Sequence, residues 1–322
     1  MQLWTVDTSN YKNVQGRFQR DSEGNEVWVL TFKRAWNYVE EQWKEDCEVS
    51  IRDAPEYIDE PGLSPVKAEH DFAILKFNTD VIVFGKARTK SKQPQVKHTC
   101  QLFIENHINK ALNVVGERQW MKNGAVVVTS SPAPFIVKDI DYRHAIGGDE
   151  KNRYGSGLIK KTSELLVTQV PSIFYPSQDW SSKPSTLKVA GFGIEAPHFD
   201  RRRRYAGTFD QIWQDERKPL LPTDFDPRFY QIAPEDQQCN GFLSGGEKIR
   251  LSGFHHNDDL SFKVPVDKYV AFAEFEQSKQ KNMDIYTIYI DTELNRVEIT
   301  YSASFHCQGI EETLRQSTIR KV

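Results

Sequence analysis

Short apolar runs, separated by turn-forming residues, constrain the fold of this chain more than any other feature of its sequence. In residues 96–104, the side chains of Val96, His98, Cys100 and Leu102 would share one face of a strand. The run at 297–305 alternates in the same way, which predicts one buried face and one wetter face. Such runs recur about every ten residues, a spacing that is typical of antiparallel β folds.

The sequence therefore predicts a mainly β, antiparallel, β-sandwich-like architecture with long loops and a few short helices. The other predicted strands are 27–32, 72–77, 81–84, 111–115, 125–128, 135–137, 165–170, 248–251, 260–264, 269–275 and 285–290. We expect a single domain over residues 1–322, with possible β subdomains at 1–145 and 165–322 joined by a glycine-rich loop at 146–161.

Composition narrows the function classes. The formal net charge of -3 argues against general electrostatic capture of nucleic acid. No stretch is apolar over the roughly 18 residues that a membrane helix needs, and the first residues lack the pattern of a signal peptide. The 4 cysteines are far apart and form no CxxC pair, so neither a zinc site nor a redox pair is expected, and a reducing cytoplasm is the predicted location.

The segment at 201–247 is the densest in aromatic, proline, arginine and carboxylate residues. Thr208 is the predicted N-cap of a helix, with Gln211 completing a capping box. The apolar face of this helix would carry Phe209, Ile212 and Trp213, and Pro219 would end the helix.

Turn signals continue through the second half of this segment. Asp226-Pro227 predicts a cap with proline in the first helical position, and residues 233–236 repeat the device. Gly245 and Gly246 predict a turn into the next strand.

The carboxylates and arginines of the segment allow two interpretations. Asp224 and Asp226, together with an arginine from the run Arg201, Arg202, Arg203 and Arg204, would suit a hydrolase-like enzyme. The structural alternative pairs the arginine run with Asp224, Asp226 or Glu247 and is favoured, because no nucleophile, base or metal cluster accompanies these carboxylates. A glycan- or nucleic-acid-binding β module is a third hypothesis, and loop aromatics such as Tyr175 and Trp180 are candidate anchors for a protein partner.

A long set of residues in this segment carries a resemblance to a known family: Gly207, Thr208, Asp210, Trp213, Pro222, Asp224, Phe225, Asp226, Arg228, Phe229, Pro234, Asp236, Gln237, Gly246 and Glu247. They resemble the signature of a bacterial family that was long catalogued as a domain of unknown function and is associated with type VI secretion. The likeness extends over roughly residues 70–300. It is weak over the first 65 residues and departs at 153–157, 165–167 and 301–303.

This resemblance implies a cytoplasmic, non-enzymatic effector adaptor or chaperone. Its partners would be a cognate effector toxin and a protein of the secretion spike or its tip, with no membrane and no nucleic acid. No catalytic residue, cofactor or metal ligand is implied, and the oligomeric state stays open. The candidate partner-binding residues are Arg201, Arg202, Arg203, Arg204, Tyr175 and Trp180.

Overall fold

The structure, a computed structural model, describes residues 5–124, 126–157, 170–179, 186–257 and 259–322. It is mainly β with several antiparallel sheets, and this confirms the predicted fold class. In the described residues, no helix is both long and apolar enough to cross a membrane.

The strands are short and follow one another closely along the chain. They are β1 (Thr5–Val6), β2 (Val14–Arg20), β3 (Glu26–Val39), β4 (Gln42–Asp46), β5 (Glu56–Tyr57), β6 (Val66–Ala68), β7 (Asp80–Phe84), β8 (Lys86–Arg88), β9 (Lys97–Ile104), β10 (Ile108–Val115), β11 (Trp120–Asn123), β12 (Val126–Thr129), β13 (Val137–Asp139), β14 (Ile146–Gly147), β15 (Ser156–Gly157), β16 (Ile173–Phe174), β17 (Lys248–Ser252), β18 (Leu260–Lys263), β19 (Tyr269–Glu274), β20 (Ser278–Asn282), β21 (Asp284–Asp291), β22 (Arg296–His306) and β23 (Gln316–Lys321).

Within the described ranges, the helical elements are single turns. They are α1 (Asp200–Arg203), a π-helical turn at Trp213–Arg217, and 3₁₀ turns at Lys90–Lys92, Tyr142–His144, Pro227–Tyr230, Glu235–Gln237 and Glu311–Thr313. Most of the strands predicted from the sequence coincide with strands of the structure. Residues 165–169 of one predicted strand lie outside the described residues.

Three sheets enclose the main hydrophobic core. The largest has the order β2-β3-β22-β21-β7, with β4 added to β3. One face of this sheet packs Trp28, Leu30 and Phe32 against the sheet β16-β10-β9-β17-β18, which contributes Leu102 and Leu112, and against the sheet β1-β23-β19-β20. Period-2 alternation along each strand directs these apolar side chains to the same side. The core is therefore sandwich-like, as the alternating runs predict.

The opposite face of the largest sheet, which we call the outer face, is polar but buried. The prediction of a wetter face for residues 297–305 is wrong in its exposure, because Glu298, Thr300 and Ser302 are at most 5% exposed. Loops cover this face, and Phe72 and Ile74 pack there on β3. Polar side chains in such a place must be paired, and the ion pairs described below supply the partners.

Residues 72–77 form one of these covering loops, so the strand predicted there is wrong. Its backbone groups bond to side chains of other elements instead of to a neighbouring strand. Ser304 donates to the carbonyl of Ile74 at 2.5 Å, and the amide of Phe77 donates to Gln231 at 3.0 Å. The run is apolar because it covers the outer face, and a sequence pattern alone does not distinguish the two situations.

Strands from the two sides of the glycine-rich loop pair with each other in both large sheets. β3 pairs with β22, and β9 pairs with β17. The described residues on the two sides of this loop consequently share the main hydrophobic core.

Candidate functional site

The first half of the arginine run points into the protein. Arg202 is buried, and its guanidinium donates to the carbonyls of Glu195 at 2.8 Å and Phe229 at 3.2 Å. Arg201 pairs with the Glu195 carboxylate and donates to the Ala233 carbonyl at 2.6 Å. Burial lowers the pKa of Arg202. Both side chains therefore fix the segment to its surroundings and offer little to a partner.

The second half of the run is exposed and paired at the surface. Arg203 lies 2.8 Å from Glu150, and Arg204 lies 2.9 Å from Glu235. The predicted pairing of the run with Asp224, Asp226 or Glu247 is wrong, since these carboxylates accept hydrogen bonds from other donors. A one-turn helix spreads successive side chains by about 100°, so neighbouring arginines of α1 face different elements.

Asp224 bonds to Thr208, just before the exposed turn, and not to an arginine. Its carboxylate accepts from the amide of Thr208 at 2.9 Å and from the Thr208 hydroxyl at 2.7 Å. The backbone hydrogen bond of Thr208 lowers the pKa of Asp224. Thr208 is therefore not the N-cap that the sequence predicts. Asp210 caps the turn, because its carboxylate accepts from the amide of Trp213 at 2.9 Å.

Two apolar side chains just before the π-helical turn Trp213–Arg217 are exposed to solvent. Phe209 is 54% exposed and Ile212 is 66% exposed. Trp213 is half-buried, and its indole donates to the carbonyl of Leu220 at 2.8 Å. The turn ends at Arg217, just before the predicted stop at Pro219. The predicted apolar face exists, but two of its three members point away from the protein.

The second carboxylate, Asp226, is a cap as predicted. It accepts from the amide of Arg228 at 2.9 Å, directly before the 3₁₀ turn that Pro227 begins. The Arg228 guanidinium holds the pKa of Asp226 below its usual range. Phe225 and Phe229 lie next to this cap with ring centroids 5.8 Å apart.

Glycines set two sharp turns in the segment. The predicted turn before β17 is confirmed, since Gly245 and Gly246 have φ of 100° and 94°. The Glu247 carboxylate accepts from the amide of Gly245 at 2.9 Å. Gly207 has φ of 81°, and a β-carbon there would lie 2.7 Å from Pro222.

The last helical turn of the segment, Glu235–Gln237, carries a cluster that sequence reasoning missed. It begins after Pro234 without a side-chain cap. The Asp236 carboxylate lies 2.8 Å from the ammonium of Lys110 and accepts from the Tyr175 hydroxyl at 3.0 Å. Burial lowers the pKa of Lys110 and raises that of Tyr175. The available signal was a lysine among the buried apolar positions of β10.

A groove of about 540 Å³ opens above this cluster. It brings together four residues that the sequence singled out, namely Tyr175, Arg201, Pro234 and Asp236. Its walls also include Glu195. Trp180, the other aromatic candidate, lies outside the described residues.

The segment is also tied to the largest sheet. Gln237 donates to the carbonyls of Val81 at 2.7 Å and Phe192 at 2.8 Å. Gln231 donates to the buried carboxylate of Asp80 at 3.0 Å, which also pairs with Lys76 at 2.6 Å. These side-chain contacts attach the segment at 201–247 to strand β7.

A separate group of ion pairs lies on the outer face of the sheet. Glu298 lies 3.0 Å from Lys33 and accepts from Arg52 at 2.6 Å and from Arg296 at 2.9 Å, and Asp71 accepts from Lys33 at 2.8 Å. Arg52 and Arg296 also pair with Glu56 at 2.8 Å and with Asp46 at 2.6 Å, so every one of these charges has a partner of opposite sign. In the described part of the chain, no group of three or more His, Cys, Asp and Glu side chains is arranged to hold a metal ion.

Comparison with known proteins gives one match. Residues 23–302 match the model of the family described as an uncharacterized protein conserved in bacteria (DUF2169). No curated protein and no solved structure matches the chain.

Proposed function

The chain belongs to this bacterial family, and we propose that it is a non-enzymatic adaptor or chaperone. It would bind a type VI secretion effector toxin and help to load it onto the spike or tip protein. The resemblance of the segment at 201–247 supports the secretion system. One structural observation supports a protein-binding role, namely that the segment holds large apolar side chains in solvent.

That observation concerns Phe209 and Ile212, which are 54% and 66% exposed just before the π-helical turn Trp213–Arg217. Neighbouring large apolar side chains in solvent are typical of protein-binding surfaces, where aromatic anchors contribute most of the binding energy. Hydrogen bonds from Asp210 and Asp224 stabilise this turn locally. These bonds and the edge-to-face contact of Phe209 with Trp213 at 4.8 Å hold the turn in shape while both side chains stay more than half exposed, as a preformed binding element requires.

The enzyme alternative is disfavoured by the state of the two central carboxylates. A general acid at neutral pH needs a raised pKa, whereas the pKa values of Asp224 and Asp226 are both lowered by their hydrogen bonds to Thr208 and Arg228. The arginines of α1 bond elsewhere.

The test is a pull-down with the tagged protein as bait and, as candidate prey, the toxin, spike and tip proteins encoded beside its gene. We expect Phe209→Asp and Ile212→Asp each to weaken toxin recovery at least about tenfold, because a carboxylate would replace an apolar anchor. The matched control is Leu63→Asp, since Leu63 is 76% exposed in a different loop. Recovery of none of the three candidates by the wild-type protein would refute the adaptor proposal.

A further inference from the structure

An apolar pocket of about 200 Å³ lies beside the segment at 201–247, which we call the motif segment. The pocket is bounded by β3, the loop at 72–77 and the 3₁₀ turn at Pro227–Tyr230. Its base and walls are apolar. They are formed by Val27, Ile74, Leu75, Phe225, Pro227 and Tyr230. We call it the Phe225 pocket.

The walls of the Phe225 pocket are fixed before anything binds. The Asp226 cap positions Pro227, and the rings of Phe225 and Tyr230 contact each other edge to face at 5.6 Å. The hydroxyl of Ser304 holds the carbonyl of Ile74. A preformed apolar site of this kind loses little conformational entropy when it is filled.

The size of the pocket selects the class of occupant. Pockets for small molecules are commonly about 300–1,000 Å³, which is more than this pocket contains. One large aliphatic or aromatic side chain is a better match, as in the anchor pockets of protein interfaces. The pocket is thus suited to one residue of a protein partner.

One side of the pocket rim carries a lysine whose ammonium is exposed to solvent. Lys281 of β20 is exposed, and in the described part of the chain no carboxylate lies within ion-pair distance of its ammonium, although its charge opposes the burial that raises the pKa of Asp284. Its ammonium lies 3.4 Å from the carbonyl of Ser304. The one rim carboxylate, Asp21, faces groups of the protein itself: one oxygen accepts from the amides of Glu23 and Asn25 at 3.0 Å and 2.9 Å, and the other lies 3.8 Å from the ring of His306, which also lines the pocket. A carboxylate on the partner would complement this rim.

We propose that the Phe225 pocket receives one large aliphatic or aromatic side chain of the partner protein, next to an aspartate or glutamate that pairs with Lys281. This inference deepens the proposed adaptor function and rests on it for the identity of the partner. It adds a site separate from Phe209 and Ile212, together with the chemistry that the site recognises.

The test uses a phage-displayed library of random dodecapeptides, selected on the wild-type full-length protein. We expect enriched peptides to share a large apolar residue within one or two positions of an acidic residue. Binding is then measured to Leu75→Trp, which fills the pocket from its exposed edge, and to Lys281→Glu, which reverses the rim charge. Each variant is expected to bind the peptides at least about tenfold more weakly.

Matched controls separate the pocket from general surface effects. Lys122→Glu reverses the charge of an exposed lysine on a different strand, β11, and Leu63→Trp adds the same ring elsewhere; neither residue lines the pocket, and both variants should bind like the wild type. If Leu75→Trp fails to fold, the surface change at Lys281 still decides.

Three results would overturn the proposal: no enriched peptide family, peptides that bind all variants equally, or a dimer of the protein that Leu75→Trp dissociates. The pull-down distinguishes failure of the pocket proposal from failure of the adaptor proposal. Toxin recovery that survives Leu75→Trp and Lys281→Glu removes the pocket and keeps the adaptor. Pocket-dependent peptides without toxin recovery remove the adaptor and keep a peptide-binding pocket.

Discussion

Replacing Glu298 by glutamine tests whether the outer face of the sheet depends on its buried ion pairs. The Glu298 side chain is 6% exposed and contacts Lys33, Arg52 and Arg296 at 2.6–3.0 Å. Burial alone would raise its pKa, but the charges of Lys33 and Arg52 outweigh burial and lower the pKa from 4.5 to about 2. At about 1.4 kcal/mol for each tenfold change in proton affinity, this difference corresponds to about 3 kcal/mol.

Glu298→Gln should therefore lower the free energy of unfolding by about 3 kcal/mol at pH 7, similar to the cost of breaking other buried ion pairs. Because the folded-state pKa is lowered, this stabilisation is present above about pH 4.5 and is lost as the pH falls towards 2. The wild-type and Glu298→Gln proteins should consequently converge in acid. Urea titrations at several pH values between 7 and 3 measure this difference.

The control is Glu40→Gln, because the Glu40 side chain is 78% exposed in its pair with Lys44. This surface pair should contribute no more than about 1 kcal/mol. A loss below about 1 kcal/mol for Glu298→Gln, or a loss that persists unchanged at pH 3, would refute the reasoning.

Three further predictions concern the motif segment, the buried histidines and a glycine turn. Asp224→Ala should speed hydrogen exchange at the Thr208 amide and proteolysis within residues 207–222 while leaving the melting temperature nearly unchanged; Asp215→Ala is the control, and equal exchange in both variants contradicts the role of Asp224. Burial lowers the pKa of five histidines, namely His70, His98, His144, His198 and His255. The melting temperature should therefore fall as the pH drops below about 6.5, because the unfolded chain then binds protons more readily than the folded protein. A melting temperature that stays constant between pH 7.5 and about 5.5 would argue against this reasoning. Gly245→Ala should lower the free energy of unfolding by about 1–3 kcal/mol, because its β-carbon would lie 2.5 Å from the carbonyl of Pro265 at a φ of 100°. Gly241→Ala, which also has positive φ but meets nothing within 4 Å, should have a smaller effect in the same urea titration, and the reverse order would contradict the argument.

The strands that line the main core were predictable because their signal is local. Alternation in residues 297–305 identifies which side chains face the core, and β22 places Val297, Ile299 and Tyr301 there. The burial of the other face was not predictable. It depends on Arg52 and Asp71, which reach Glu298 and Lys33 across long stretches of sequence.

The difference between local and long-range contacts also explains which features of the candidate site could be predicted from the sequence. The Asp226 cap and the turn at Gly245 involve donors only two residues from their acceptors, so sequence spacing predicts them. The cap predicted at Thr208 is wrong because Asp224, 16 residues away, takes both its amide and its hydroxyl. The contact of Lys110 with Asp236 spans 126 positions and has no local signal beyond an unexpected lysine.

Local polar bonding in the motif segment has a consequence for how binding and stability are related. Most apolar residues on a fold are needed to stabilise it, so their mutation changes both properties. The turn next to Phe209 and Ile212 is held mainly by the Asp210 and Asp224 carboxylates, although the Phe209 ring also packs edge to face on Trp213 with centroids 4.8 Å apart. Aspartate at Ile212 should therefore weaken partner binding while the protein melts like the wild type, and aspartate at Phe209 should lower the melting temperature only by the loss of this one ring contact. A large fall in melting temperature would mean that these side chains stabilise the fold, and the exposed turn would then lose its place as the binding element.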